Sequence, residues 1–272
     1  MNFRHSKKVG WSFFLFFLLF FCSFDRIGSA TFFGVPKTGL QNLGSEKYPY
    51  SIYVPEGYAS DRSWPLVIAL YVAGGKDQTF VENWAQQAER HGFILLCPGF
   101  NIFMEGNPSA HDRRIQKLVE KVRTQYEIDS NRVLITGFGD AGHYALYLGM
   151  RFSDEISAVA SVGNALHGPL EKLFRFSYAE ENRLPILILT GSQNSEADPA
   201  IGQEAELFKQ KGYSVEVVSA GEIKSANDPS PIPFILDWFD ETGKTHRQTQ
   251  KKYSLGLKQK FFKWLDRAFV NS

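Results

Sequence analysis

The chain has 272 residues, with 30 lysines and arginines against 29 aspartates and glutamates, and 22% of its residues are charged. This composition is that of a globular protein long enough to bury a core, and it excludes a disordered chain or a collagen-like fibre. The net charge of +1 gives no reason to expect a nucleic acid as partner. With two cysteines and no Cys/His cluster at zinc spacing, we expect neither a metal site nor a cofactor.

The first thirty residues are typical of a secretory signal peptide. Three basic residues lie in the first eight positions, an apolar run occupies 11–24, and small residues follow at 28–30. The run is shorter than the roughly 20 residues that span a bilayer, so an uncleaved membrane anchor is the less favoured alternative. We therefore predict export, to the periplasm or outside the cell if the source is bacterial. Residues 1–30 are then the signal and 31–47 an N-terminal extension.

From residue 48 to residue 272 the chain alternates apolar runs with amphipathic segments. Continuous apolar runs that end at glycine or proline predict strands buried on both faces of a sheet, and apolar positions three or four apart predict helices. In chain order we predict strands at 50–54 and 65–73, a helix at 80–92, a strand at 93–99, a helix at 113–126, a strand at 132–137, a helix at 141–152, strands at 156–163 and 184–191, a helix at 202–212, a strand at 213–221, and helices at 234–243 and 252–269.

Strands separated by helices of this length imply right-handed βαβ units and a mostly parallel sheet. The fold class predicted for residues 48–272 is therefore a single α/β domain, a three-layer α/β/α sandwich with that sheet at its centre.

The turn after the strand at 132–137 has the spacing of a nucleophile elbow, in which small residues stand two positions before and after the nucleophile. Gly137 and Ala141 are the small residues, which leaves Gly139 at the nucleophile position. An elbow nucleophile sits in a strained backbone conformation that costs roughly 1–3 kcal/mol, whereas glycine adopts it without a Cβ clash. We predict an intact elbow that carries no nucleophile.

These elements resemble the α/β-hydrolase superfamily, and most of all the secreted esterases of its polyhydroxyalkanoate-depolymerase and phospholipase/carboxylesterase-like branch. The resemblance covers roughly residues 48–270 and rests on the element order and on YSIYVPEGY, PLVIALYVAGG, ERHGFILLCPG and NRVLITGFGDAGHYALYLG. It implies a Ser-His-Asp triad that hydrolyses esters. Gly139 stands in place of the serine, Asn194 in place of the acid with Asp198 just beyond, and residues 220–233 contain no histidine.

All three triad positions depart from the pattern together, so we predict an exported pseudo-hydrolase without catalytic residues. Its vestigial pocket is expected to bind a small molecule or a protein. By resemblance, the backbone after the second predicted strand and at the elbow forms an oxyanion-like region, because backbone donors survive side-chain substitution. The predicted binding residues are Tyr71, Val72, Ala73, Gly139, Asp140 and His167.

The alternative is an active esterase-like hydrolase with a rearranged site, in which Asp140 works with His143, His111 or His167 and Asp198 is a further candidate. It requires a carboxylate and an imidazole within about 3 Å of each other. On the sequence, His111 and His167 fall on loops near strand ends, whereas His143 lies one turn into a helix.

Two further features have simpler structural explanations. Cys97 ends a predicted buried strand, where a thiol packs as a small apolar side chain. Residues 244–272 carry eight basic side chains against Asp266, in an amphipathic pattern. Such a helix can lie on an anionic membrane, but packing of its apolar face on the sheet is the favoured interpretation.

Overall fold

A computed structural model describes residues 36–71, 78–99, 108–163, 183–191, 199–223 and 225–244. Residues Lys37–Ser272 form one compact unit and Met1–Pro36 another. The predicted signal segment and the predicted helix at 252–269 lie outside the described residues.

The centre of the larger unit is a sheet of eight strands among the described residues, in the order β1-β2-β4-β3-β5-β6-β7-β8. β1 and β2 run antiparallel to their neighbours, and β3 to β8 are parallel. The predicted mostly parallel sheet is confirmed. Its strands are β1 Gly39–Gly44, β2 Pro49–Val54, β3 Trp64–Leu70, β4 Ile94–Pro98, β5 Ile128–Phe138, β6 Ala158–Val162, β7 Ile186–Thr190 and β8 Val215–Ser219.

Helices cover both faces of the sheet, because adjacent residues of each buried strand point to opposite sides. Val67 belongs to the core cluster that contains side chains of α1 (Gln78–His91) and α5 (231–244). Ile68 belongs to the cluster on the other face, with side chains of α2 (Pro108–Gln125), α3 (Asp140–Arg151) and α4 (Pro199–Gln210). The result is the predicted α/β/α sandwich.

Besides α2, which begins at Pro108 and not at the predicted residue 113, two strands differ from the sequence-based expectation. β1 lies within 31–47, for which no element was predicted, because this edge strand is largely exposed and carries no apolar run. β5 begins at Ile128, four residues before the predicted start, since its first residues are polar and half-buried or exposed. In both places the residues form a strand because they pair with a neighbouring strand, although their sequence has no run of apolar residues.

Candidate functional site

The turn between β5 and α3 has the backbone of a nucleophile elbow. Gly139 has φ 58° and ψ −126°, a conformation that side-chain-bearing residues rarely adopt. A Cβ on Gly137 would collide with the backbone carbonyl of Ala141 and would lie 2.8 Å from the amide nitrogen of Gly142. Strand and helix therefore approach as closely as the small residues at these positions predicted. The conformational prediction for Gly139 is confirmed.

Backbone hydrogen bonds hold this turn against the neighbouring strand. The N–H of Gly139 donates to the carbonyl oxygen of Val162 in β6 at 2.8 Å. Its own carbonyl oxygen accepts from the N–H of Gly142 at 2.9 Å, which closes the first turn of α3. Asp140 begins the helix and is exposed, so its carboxylate stabilises the helix N-terminus. The elbow is a rigid feature that needs no side chain at position 139.

The loop after β8, where the resemblance places the catalytic base, is tied to α1. The side-chain amide of Asn83 donates to the carbonyl oxygen of Asn227 at 2.9 Å. Asp228 follows, and its carboxylate accepts from the N–H of Ser230 at 2.9 Å. The loop is held close to the sheet with polar side chains but no imidazole.

A shallow cleft that is open to solvent lies beside the elbow, and its enclosed volume is about 20 Å³. Gly137 and Phe138 form part of its wall, immediately before Gly139. Thr136 is buried and faces the α1–α5 layer, since it alternates with Leu134 of the same core. The remaining walls come from α1, from the loop after β8 and from α5. They include Phe80, Trp84, Ala226, Asp228, Ile232 and Ile235.

The residues proposed for a rearranged site differ in their exposure to solvent. Asp140 is exposed, whereas His143 of α3 is 2% exposed. The prediction that His111 lies on a loop is wrong, because α2 begins at Pro108 and buries this imidazole to 1% exposure. Within the described part of the chain no hydrogen bond or ion pair joins Asp140 to either histidine. Both imidazoles lie in the helical layer that contains α2 and α3.

The sequence analysis did not identify the buried polar cluster between α2 and α3. Asp112 is 1% exposed and accepts hydrogen bonds from the hydroxyls of Tyr144 at 2.6 Å and Tyr147 at 2.8 Å. Arg151 completes the cluster, with its Nε 3.3 Å from the Asp112 carboxylate. The spacing 144, 147, 151 on one helix face was the available signal, but the acid comes from another element.

Burial explains the ionisation behaviour of these groups. Desolvation, followed by the interactions with the Asp112 carboxylate, raises the pKa of Tyr147 to about 12. The same causes raise the pKa of Tyr144 further. Burial alone raises the pKa of the Cys97 thiol, which agrees with its predicted place in the core. None of these groups is poised for acid–base or nucleophilic work near neutral pH.

The other predicted binding residues fall at the margins of the described chain. Tyr71 is half-buried, and its ring lies 4.9 Å from that of Phe80 in the cleft wall. Val72, Ala73, His167, Asn194 and Asp198 lie outside the described residues. No group of three or more metal-ligating side chains occurs in the described ranges, and no helix there is long and apolar enough to cross a membrane.

Comparison with solved structures identifies the fold. A thermostable esterase superposes with a TM-score of 0.54 at 20% identity, over 74% of this chain and 62% of that one. A poly(3-hydroxybutyrate) depolymerase from Bordetella parapertussis superposes with a TM-score of 0.57 at 16% identity, over 75% of this chain and 90% of the depolymerase. An acetyl xylan esterase from Aspergillus awamori superposes with a TM-score of 0.57 at 14% identity, over 74% of this chain and 99% of the esterase. The chain has the fold of these enzymes, an α/β-hydrolase fold.

Sequence comparison adds a shorter match. Acetylxylan esterase A of Aspergillus oryzae and a probable acetylxylan esterase A of Aspergillus flavus are each 28% identical to this chain over 99 residues. The match covers 32% of this chain and 32% of each relative, so it spans about a third of the length of these curated proteins. No protein-family model matches the chain.

Proposed function

We propose that this protein is an exported, non-catalytic member of the esterase-like α/β-hydrolases that uses the region beside its elbow to bind a ligand. One observation carries the proposal: the elbow keeps its backbone geometry while glycine occupies the nucleophile position. A Ser-His-Asp triad also needs a base within hydrogen-bond reach. The loop after β8 contains Asn227 and Asp228 but no histidine.

Loss of the serine also removes a source of strain. A serine at position 139 would have to adopt the backbone that Gly139 adopts freely, at a cost of roughly 1–3 kcal/mol. Hydrolases accept this cost because the turn exposes the nucleophile. In a binding protein the same turn is more stable with glycine.

The first test concerns catalysis. We expect a fluorophosphonate probe to leave the protein unlabelled and short-chain nitrophenyl esters to remain unhydrolysed. The variant Gly139→Ser should stay inactive, because the loop after β8 supplies no histidine to act as the base. Without a triad, oxyanion donors and binding supply at most roughly 10³–10⁴-fold over water. The same variant should lose about 1–3 kcal/mol of unfolding free energy in urea.

The control is Gly202→Ser, a change in α4 at a site where a Cβ meets nothing within 4 Å. A fluorophosphonate-binding serine hydrolase serves as the positive control for labelling. Stoichiometric labelling of the native chain, or ester turnover abolished by substitution of Asp140 or His143, would establish the rearranged-site enzyme instead.

The second test concerns binding in the cleft. Its apolar walls and the Asp228 carboxylate favour an apolar molecule that is neutral or cationic over an anionic one. We therefore expect benzylamine to bind at least about tenfold more tightly than benzoate, which has a similar size, as measured by NMR titration at neutral pH.

Ala226→Leu should fill the cleft and abolish the benzylamine shifts, because Ala226 forms part of its wall. The matched control is Ala59→Leu, at an exposed position in the loop before β3. Equal binding of both ligands, or shifts that survive Ala226→Leu, would contradict a binding role for this cleft. That outcome would leave the expectation of inactivity unaffected.

A further inference from the structure

One face of α2 concentrates positive charge away from the elbow. Arg113, Arg114, Lys117 and Lys121 fall within a sector of about 100° when each residue turns the helix by about 100°. Glu120, at the edge of that sector, is the one acidic residue between positions 113 and 124. The rest of the domain has the opposite charge, since residues 31–243 together carry a net charge of −9. We call these four cations the basic face of α2.

Two tyrosines help to hold this face in position. The Arg114 guanidinium lies 3.9 Å from the ring centroid of Tyr48 and donates to its hydroxyl at 2.6 Å. The Lys121 ammonium donates to the hydroxyl of Tyr50 at 2.8 Å. Lys47 adds a fifth cation, 5.2 Å from the Tyr48 ring centroid. Because these partners are uncharged, they orient the side chains and leave their charge in place.

Two cations of the sector face solvent without an ion pair. Arg113 and Lys117 are exposed, and neither forms an ion pair with a carboxylate of the described chain. The ion pairs that α2 does form lie on another side of the helix: Asp112 binds Arg151 of α3, and Arg123 binds Glu155, which follows α3. Arg113 and Lys117 are therefore not neutralised by acidic residues of the described part of the chain.

The neighbouring side chains indicate which kind of anion fits. The ring of Tyr48 is occupied by two cations, so it is not open for stacking against a sugar or a base. Leu43 of β1 pairs with Tyr50 on the side of the sheet that faces α2, and it is 37% exposed. Cations beside an exposed leucine match a bilayer surface, where headgroup phosphates lie above acyl chains.

From this arrangement we propose that the basic face of α2, with Lys47 and Leu43, is a docking surface for an anionic phospholipid bilayer. It holds the domain on the membrane through charge, and the single leucine adds little apolar insertion. The surface is separate from the elbow and does not depend on the proposed ligand-binding role. It also differs from the basic segment at 244–272, which lies outside the described residues.

The test is co-sedimentation of residues 31–272 with phosphatidylcholine vesicles that contain about one-third phosphatidylglycerol. This part is suitable because Lys37–Ser272 forms one compact unit. We expect binding at low salt that falls steeply by about 1 M salt, where the Debye length is about 3 Å. The variant Arg113→Gln/Lys117→Gln/Lys121→Gln should bind about a hundredfold more weakly, at roughly fivefold per charge.

The matched control is Arg90→Gln/Lys209→Gln/Lys211→Gln, which removes the same charge from exposed positions on other elements. It should change binding by less than about threefold, and circular dichroism melts should show both variants folded. Equal weakening by both variants would mean that only net charge matters, and unchanged binding of the first variant would assign the contact to another segment. Either result overturns the proposal. The proposal is also overturned if the native chain binds polygalacturonate but not vesicles, and the first variant loses that polygalacturonate binding.

Discussion

Replacing Asp112 with alanine is expected to lower the free energy of unfolding by roughly 3–5 kcal/mol. The side chain is 1% exposed and accepts hydrogen bonds from two tyrosine hydroxyls. Its removal leaves both hydroxyls buried without this acceptor, at about 1–3 kcal/mol for each unsatisfied group. Loss of the ion pair with Arg151 costs less free energy, because 42% of the Arg151 side chain is exposed and remains hydrated. Urea denaturation at neutral pH measures the difference.

A double-mutant cycle separates the cluster from general destabilisation. Tyr144→Phe alone should cost about 1.5–3 kcal/mol, because it removes a hydrogen bond to a charged group. In the Asp112→Ala background the same change should be close to neutral, since the acceptor is already gone. Asp237→Ala, at an exposed position of α5, is the control and should stay within about 0.5 kcal/mol of the native chain. Additive losses in the cycle would show that Asp112 and Tyr144 act independently.

Gly137→Ala is expected to be the most damaging single-methyl addition at the elbow, with a loss of about 3 kcal/mol. The new Cβ would meet the backbone of α3, at the Ala141 carbonyl and 2.8 Å from the Gly142 nitrogen. A backbone contact cannot be relieved by a rotamer change, so α3 must move away from β5. Val162 would then lose its hydrogen bond from Gly139 if the turn shifted with the helix.

The control for this substitution is Gly202→Ala in the interior of α4, where the added methyl meets nothing within 4 Å. It should raise stability by about 0.5–1 kcal/mol, because alanine favours the helix and loses less entropy on folding. The thermal and urea unfolding midpoints of Gly137→Ala and Gly202→Ala should therefore shift in opposite directions from those of the native chain. A loss below about 1 kcal/mol for Gly137→Ala would show that the elbow tolerates a wider approach of strand and helix.

The buried strands could be predicted from the sequence because each is encoded by a run of consecutive apolar residues. Runs such as residues 65–70 and 186–190 are apolar on both faces, and a strand that lies between two helical layers needs this composition. β1 could not be found this way. Only its pairing with β2, across residues that are largely exposed, makes it a strand.

The elbow was also predictable, because its requirements are local in the chain. Gly137, Gly139 and Ala141 lie within five positions, and the close approach of β5 to α3 follows from their small size. The location of His111 was not predictable, since the helix that buries it starts five residues before the first strong periodic signal. The residues at its start carry no apolar pattern.

By itself, the sequence determined the strand–helix alternation, the glycine at the elbow position and a loop after β8, residues 220–233, that contains no histidine. These are properties of neighbouring residues; they set the fold class, and the proposal that the protein is non-catalytic rests on the last two. Only the tertiary structure decided which distant residues meet: Asp112 with two tyrosines of α3, the cleft between α1 and α5, and the cations of α2 beside Tyr48. Such contacts depend on the strand order, which places residues far apart in the chain side by side.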